Sequence, residues 1–289
     1  MTQTRQPAGI PTGGQFAAGI QGRSAVSLDS VSPEIAGAKA DEAYADFSRA
    51  VYAQNNRAVV VAATAVRSVY ADSARIWLKT NPDYIHDGER YTIDRITGAD
   101  GEVLADEQHW PNDTGDSASD WATLVEAQYA VGALIDNGID IDHTALSDTH
   151  SIDYDESTDQ EYIDVASSSL HPSQLPGQKA ALAEAKSRTA GAVGTMNETA
   201  VEAINAIAAR DYPTATKVVI SRGSDNYYRT DDVLDADGEQ VSFPASHSAL
   251  DPYVQNLHEG YDSYLTHSSF SRAVDVDGSD TILRIGQDR

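Results

Sequence analysis

Apolar residues return every three or four positions from residue 33 onward, first as Ala36, Ala40, Ala43, Phe47, Ala50 and Val51, then as Val59, Ala62, Val66 and Val69. That spacing puts them on one face of a helix. The polar trio Gln54-Asn55-Asn56 between the two sets leaves one bent helix or a helical hairpin open. Ser32 can cap the start, Pro33 suits the first helical position and Glu34 favours the positive end of the dipole. The pattern then changes. Residues 74–80, 90–96 and 102–104 carry β-branched and aromatic side chains separated by Pro-Asp and Asp-Gly turns, which predicts a small antiparallel meander with Asp-Gly in a type I′ turn. Trp121, Leu124, Val125, Val131, Leu134 and Ile135 restore helical spacing, begun at Asp116-Ser117 and stopped at Asn137-Gly138. Residues 161–165 then predict a closing strand.

The same order returns further on. Leu182, Ala185, Ala192, Met196, Ala200, Ile204 and Ile207 follow one helical face despite Gly191 and Gly194, each costing about 1 kcal/mol against alanine. Strand-like residues 216–221, the pair Tyr227-Tyr228, Val233-Leu234 and the turn Ala236-Asp237-Gly238 come next. A weaker helical stretch near residues 250–264 and a strand at 281–285 end the series. Setting Ala99-Asp100-Gly101-Glu102 on Ala236-Asp237-Gly238-Glu239 also aligns Ile96 with Val233 and Tyr91 with Tyr228, with a few residues inserted in the first copy. The expected fold is therefore α+β, in two related modules, each of helix, small antiparallel β-meander, helix and closing strand. The expected organisation is a disordered leader at 1–32, a first module at 33–166, a Ser- and Pro-rich linker at 167–177 and a second module at 178–289.

Composition narrows the function classes. With 45 Asp plus Glu against 20 Lys plus Arg the formal charge is −25, which opposes direct nucleic-acid binding by phosphate neutralisation and binding to anionic membranes. The absence of cysteine excludes disulfides, Cys-ligated metals and thiol nucleophiles. The longest apolar run, residues 58–66, is far below a membrane span, and no signal-peptide pattern opens the chain, so a cytoplasmic location is expected. Between Arg95 and Lys179 there is no Lys or Arg, while 18 carboxylates occur, so this stretch is one-signed: either a solvating face or a surface suited to a basic partner.

Residues 5–17, Arg-Gln-Pro-Ala-Gly-Ile-Pro-Thr-Gly-Gly-Gln-Phe-Ala, resemble a leader of the form R-x-P-x-G-x-P-x-G-G-Q-F-A, found on uncharacterised actinobacterial and actinophage proteins. The resemblance implies an accessory protein of that setting and carries no catalytic residue across. As a linear recognition peptide, the leader would use Arg5 as its charge, Pro7 and Pro11 to stiffen it, Gly9, Gly13 and Gly14 for close backbone approach, and Gln15 beside the apolar anchor Phe16.

Catalytic motifs do not emerge. There is no Walker A motif, dinucleotide fingerprint, nucleophile elbow or H-E-x-x-H. Aspartates cluster at 235/237, 275/277/280, 140/142 and 153/155, but an EF-hand register centred on Gly238 puts Val233 at position one and Pro244 at twelve, and one centred on Gly278 puts Ala273 at position one. Both fail, and Asp-Gly hairpin turns account for the pattern. Asp142, His143, Asp148 and His150 are near enough in sequence to share a metal or acid-base site. The expectation is a non-enzymatic accessory or interaction protein, with no cofactor and with a protein partner bearing a basic surface. The alternatives are an acidic DNA mimic inhibiting a nucleic-acid enzyme, and an enzyme with an Asp/His site.

Overall fold

The computed structural model describes residues 32–80, 91–106, 109–111, 117–135, 152–165, 171–222, 228–241, 249–257, 274–277 and 280–284. Its longest elements are two helices of equal length, α1 (Pro33–Val69) and α3 (Leu175–Asp211), each 37 residues and therefore about 55 Å long. Ser32 caps α1 by accepting from the Ile35 amide, with Pro33 in the first turn as the sequence predicts. Gln54, Asn55 and Asn56 do not break it; α1 is continuous. Gln54 and Asn55 are buried there, and their amides meet other backbone. Asn55 Nδ2 donates to the Ile135 carbonyl and its Oδ1 accepts from the Ile135 amide, both at 2.9 Å. Gln54 Nε2 donates to the Ala133 carbonyl at 2.8 Å.

Ala133 and Ile135 lie just beyond α2 (Ala118–Gly132), so α1 satisfies backbone groups that the end of α2 leaves without helical partners. The helix stops at Gly132, short of the predicted Asn137-Gly138, which lies outside the described residues. Leu134 and Ile135 are nonetheless buried, which is why they fit the helical spacing in sequence.

Strands β1 (Ser73–Thr80), β2 (Tyr91–Gly98), β3 (Val103–Asp106), β4 (Ile152–Asp155) and β5 (Gln160–Asp164) form an antiparallel sheet in the order β3-β2-β1-β5-β4. Strands β6 (Lys217–Arg222), β7 (Tyr228–Leu234), β8 (Val274–Asp277) and β9 (Asp280–Arg284) form a second one in the order β7-β6-β9-β8, with Gln240 bridging Leu234 at its edge. A short helix α4 (Asp251–Gln255) lies against α3 and β7. The fold is α+β with antiparallel sheets. Each unit closes with a hairpin rather than the single strand expected. The missing partners, β4 and β8, have the sequences Ile-Asp-Tyr-Asp and Val-Asp-Val-Asp, whose acidic alternation obscures a strand.

The Asp-Gly turns also differ from expectation. Gly101 and Gly238 take φ of +85° and +82°, while no described residue other than glycine has positive φ except Asp159. A type I′ turn needs two positive φ values in succession. Here the Gly101 amide donates to the Gly98 carbonyl and the Gly98 amide to the Glu102 carbonyl, giving a three-residue loop with glycine at the left-handed position. The Asp235–Glu239 turn repeats both bonds. The segment read as linker 167–177 ends in helix: Pro172–Gln174 is one 3₁₀ turn and α3 starts at Leu175.

α1 and α3 run antiparallel. Ala36 and Ala40 near the start of α1 pack with Ala203 near the end of α3, Phe47 and Val51 meet Met196 midway, and Leu182 near the start of α3 joins Val61 and Ala65 near the end of α1. Ile76, Leu78, Ile96 and Ile163 of the first sheet complete one core; Val218, Ile220, Val233 and Leu283 of the second complete another. Replacing Asn55 with alanine leaves the buried Ile135 amide and carbonyl unpaired, so a loss of about 2–4 kcal/mol is expected in urea-induced unfolding of the full chain.

Candidate functional site

Side chains alternate across β1, so Ile76 and Leu78 enter the core while Arg75 and Trp77 stand on the sheet's other face. Register carries that face across all five strands. Trp77 pairs with Arg95 of β2 and Tyr162 of β5, Arg95 with Asp106 of β3, and Tyr162 with Asp153 of β4. One row therefore reads Asp106, Arg95, Trp77, Tyr162, Asp153. Beside it, Arg75 pairs with Thr97 and Asp164.

The centre of the row is a stack. The Arg95 guanidinium lies 4.4 Å from the Trp77 ring centroid, and the Arg75 guanidinium lies 4.6 Å from the Tyr162 centroid and 5.6 Å from that of Trp77. The two rings sit 5.2 Å apart, tilted by 44°. Each such cation–π contact contributes about 0.5–1 kcal/mol at a partly exposed site. Trp77 is only 5% exposed although it belongs to none of the apolar clusters, and its indole N–H donates to Thr97 Oγ1 at 3.1 Å. Burial, with Asp153 next, raises the Tyr162 phenol above its ordinary pKa despite the opposing pull of Arg75, so the hydroxyl stays protonated.

A register shift between Trp77 and Leu78 leaves Asp94 as an extra residue in β2, and that bulge aims its carboxylate along the same face. Asp94 Oδ2 pairs with Arg95 at 2.5 Å and accepts from Gln160 Nε2 at 3.3 Å. At the rim, Asp155 accepts from the Ser157 hydroxyl at 2.6 Å and amide at 2.8 Å; these bonds, the hydroxyl first, hold its carboxyl below the usual range. Five aspartates, at 94, 106, 153, 155 and 164, thus surround two arginines. Four of the five come from the stretch that has no cation in sequence; the arginines come from just upstream.

Arg75, Trp77, Arg95 and Tyr162 were not singled out as a site by sequence, because they lie on three strands. The available signal was Arg-x-Trp at alternate positions of a strand. The leader residues Arg5, Pro7, Gly9, Pro11, Gly13, Gly14, Gln15 and Phe16 fall outside the described residues, as do Asp140, Asp142, His143, Asp148 and His150. Asp153 and Asp155, grouped by sequence as an acidic cluster, belong to the face; Asp235 spends one carboxylate oxygen on the amides of Asp237 and Glu239. Among the described residues no three His, Asp or Glu side chains converge as a metal site, and no helix is long and apolar enough to cross a membrane.

No protein-family model, curated protein or solved structure matches the chain. The second sheet offers an internal comparison. It carries Lys217, Val219, Asp232 and Ile282 where register and the shared turn place Arg75, Trp77, Arg95 and Tyr162 in the first. The same strand order is therefore built without the aromatic stack. Thr97→Val removes the acceptor of the buried indole, so a loss of about 1–2 kcal/mol is expected by denaturant unfolding, with an upfield shift of the Trp77 indole proton by NMR.

Proposed function

We propose that this chain is a non-enzymatic accessory or interaction protein that docks a basic segment of a protein partner on the open face of its five-stranded sheet. The observation that carries the reading is the Asp106–Arg95–Trp77–Tyr162–Asp153 row, which spans every strand of one sheet and has no aromatic counterpart in the other. Trp, Tyr and Arg are the residues that most often anchor interfaces, because Trp and Tyr bury large area with few rotamers and retain a polar handle, while Arg adds a planar charged fork that stacks on rings. The rim supplies the charge selection. Five carboxylates around two guanidiniums, on a chain of net charge −25, favour lysine and arginine side chains and speed their arrival. The intramolecular stack illustrates the mode of contact, since Arg75 and Arg95 already lie over these rings as a partner's arginine would over the remaining exposed edge of Tyr162. The sequence of residues 5–17 supports an actinobacterial or actinophage setting.

A DNA mimic is less well served by this face. Phosphate imitation calls for a continuous run of one sign, and here Arg75 and Arg95 occupy the middle of the acidic ring.

The test is a titration of isotope-labelled full-length protein with an arginine nonapeptide at low salt. The expected result is that the Trp77 indole and the amides of β1, β4 and β5 shift while those of β6 and β7 do not. Tyr162→Ile, which installs the residue of the sister sheet, is expected to weaken binding by about tenfold. Equal shifts on both sheets, or an affinity unchanged by Tyr162→Ile, would show that only the diffuse negative charge is being read.

A further inference from the structure

We infer that the chain is a duplicated unit whose halves assemble as a pseudo-twofold pair by exchanging the first part of their long helices, so that each half recognises the other without the connecting peptide. A shift of 142 residues lays α3 on α1 end to end, Leu175 on Pro33 and Asp211 on Val69. Every one of the twelve buried residues of α3 then falls on a buried residue of α1, with Leu182 on Ala40, Asn197 on Asn55 and Ala208 on Val66. Helical periodicity alone would repeat the stripe at many shifts, but it would not fix the segment beyond each helix.

Those segments agree residue by residue. The same shift puts Tyr212 on Tyr70, each closing its helix with an amide bonded four residues back, to Ala208 and Val66. It puts Val218 on Ile76. Each is the central residue of its sheet: Ile76 pairs with Ile96 and Ile163, and Val218 with Val233 and Leu283. All six are fully buried. The bulge recurs one residue beyond, leaving Asp94 extra in β2 and Asp231 extra in β7. Both meanders then turn through Ala-Asp-Gly-Glu with the glycine left-handed. A shared order of strands can arise by chance. A shared helix length and first strand at an offset of 142, followed by a shared bulge residue and turn at an offset of 137, points to one ancestral unit used twice, five residues longer between these strands in the first copy.

The exchange lies in where each helix begins. Leu182 and, at its edge, Leu175 belong to the core under the first sheet, although their own helix leads into the second. Conversely Ala36 and Ala40 of α1 pack with Ala203 and Tyr253 of the second half. Gly37 leaves room for the Tyr253 ring, whose hydroxyl stands where a Cβ would be. Lys179 of α3 pairs with Glu126 of α2 at 2.5 Å. Each half thus supplies a helical arm to its counterpart, the arrangement of a swapped dimer within one chain.

The test keeps the full chain and adds a protease site between Ser167 and Ser169. After cleavage, the halves are expected to stay together at the mass of the intact 30.9 kDa protein in native mass spectrometry and to keep its circular dichroism. After separation in denaturant, they are expected to reassemble one-to-one on mixing. Ala203→Glu, which drives a charge into the crossing helices, is expected to abolish reassembly, whereas Glu198→Gln, at an exposed position of the same helix, leaves it intact. Cut halves that part, folded or unfolded, would overturn the inference, as would reassembly indifferent to Ala203→Glu. Neither result bears on the Trp77 face, whose peptide titration is read on the uncut chain.

Discussion

The antiparallel contact between α1 and α3 is the constraint on which the remaining structure depends. Small residues make it possible: Ala36, Ala40 and Ala43 on one helix meet Ala192 and Ala203 on the other, letting the axes approach closely. Larger residues, Phe47, Val51 and Met196, fill the midpoint together with Ile135. Because each helix is 37 residues long, α3 reaches beyond its own sheet into the core beneath the first, and the start of α1 packs with Ala203 and Tyr253 of the second half. The buried amides of Gln54 and Asn55 add a directional contact to this apolar packing by tying α1 to the end of α2, through hydrogen bonds to Ala133 and Ile135.

The two sheets differ more on the face turned away from the apolar core than within it. The core carries Ile76 and Ile96 in one sheet and Val218 and Val233 in the other, while the opposite face carries Trp77 and Tyr162 in one and Val219 and Ile282 in the other. A side chain as large as tryptophan on the face that the other sheet leaves aliphatic is not demanded by the fold. That difference is the physical ground on which recognition is proposed there, beside five of the chain's 45 acidic residues.

Periodicity in the sequence was sufficient for the long helices, the meanders and the α+β class, because α1 and α3 are amphipathic and β1, β2 and β6 are rich in β-branched residues. It was insufficient where acidic residues alternate along strands. Asp153 and Asp155 look like ligand spacing in one dimension and prove to share the Tyr162 face of β4 and β5. Asp275 and Asp277 likewise lie within β8. At Gln54-Asn55-Asn56 the pattern left a single helix or a hairpin open, and a single helix forms because distant backbone groups satisfy the polar side chains of Gln54 and Asn55 inside it. The stack of Arg75, Trp77, Arg95 and Tyr162 was out of reach because strand pairing, not proximity in sequence, assembles it. The long interval without a cation was visible, but not that Arg75 and Arg95 fold back into its midst.

The central claim is that the two sheets are held as one cooperative body by α1 and α3. Native-state hydrogen exchange tests it most directly, comparing amides at residues 62–66 of α1 with those at residues 204–208 of α3. The account predicts one opening free energy for both sets, equal to that of global unfolding in denaturant. Exchange of one set through a cheaper opening, with the other still protected, would contradict it and make the two sheets separate domains.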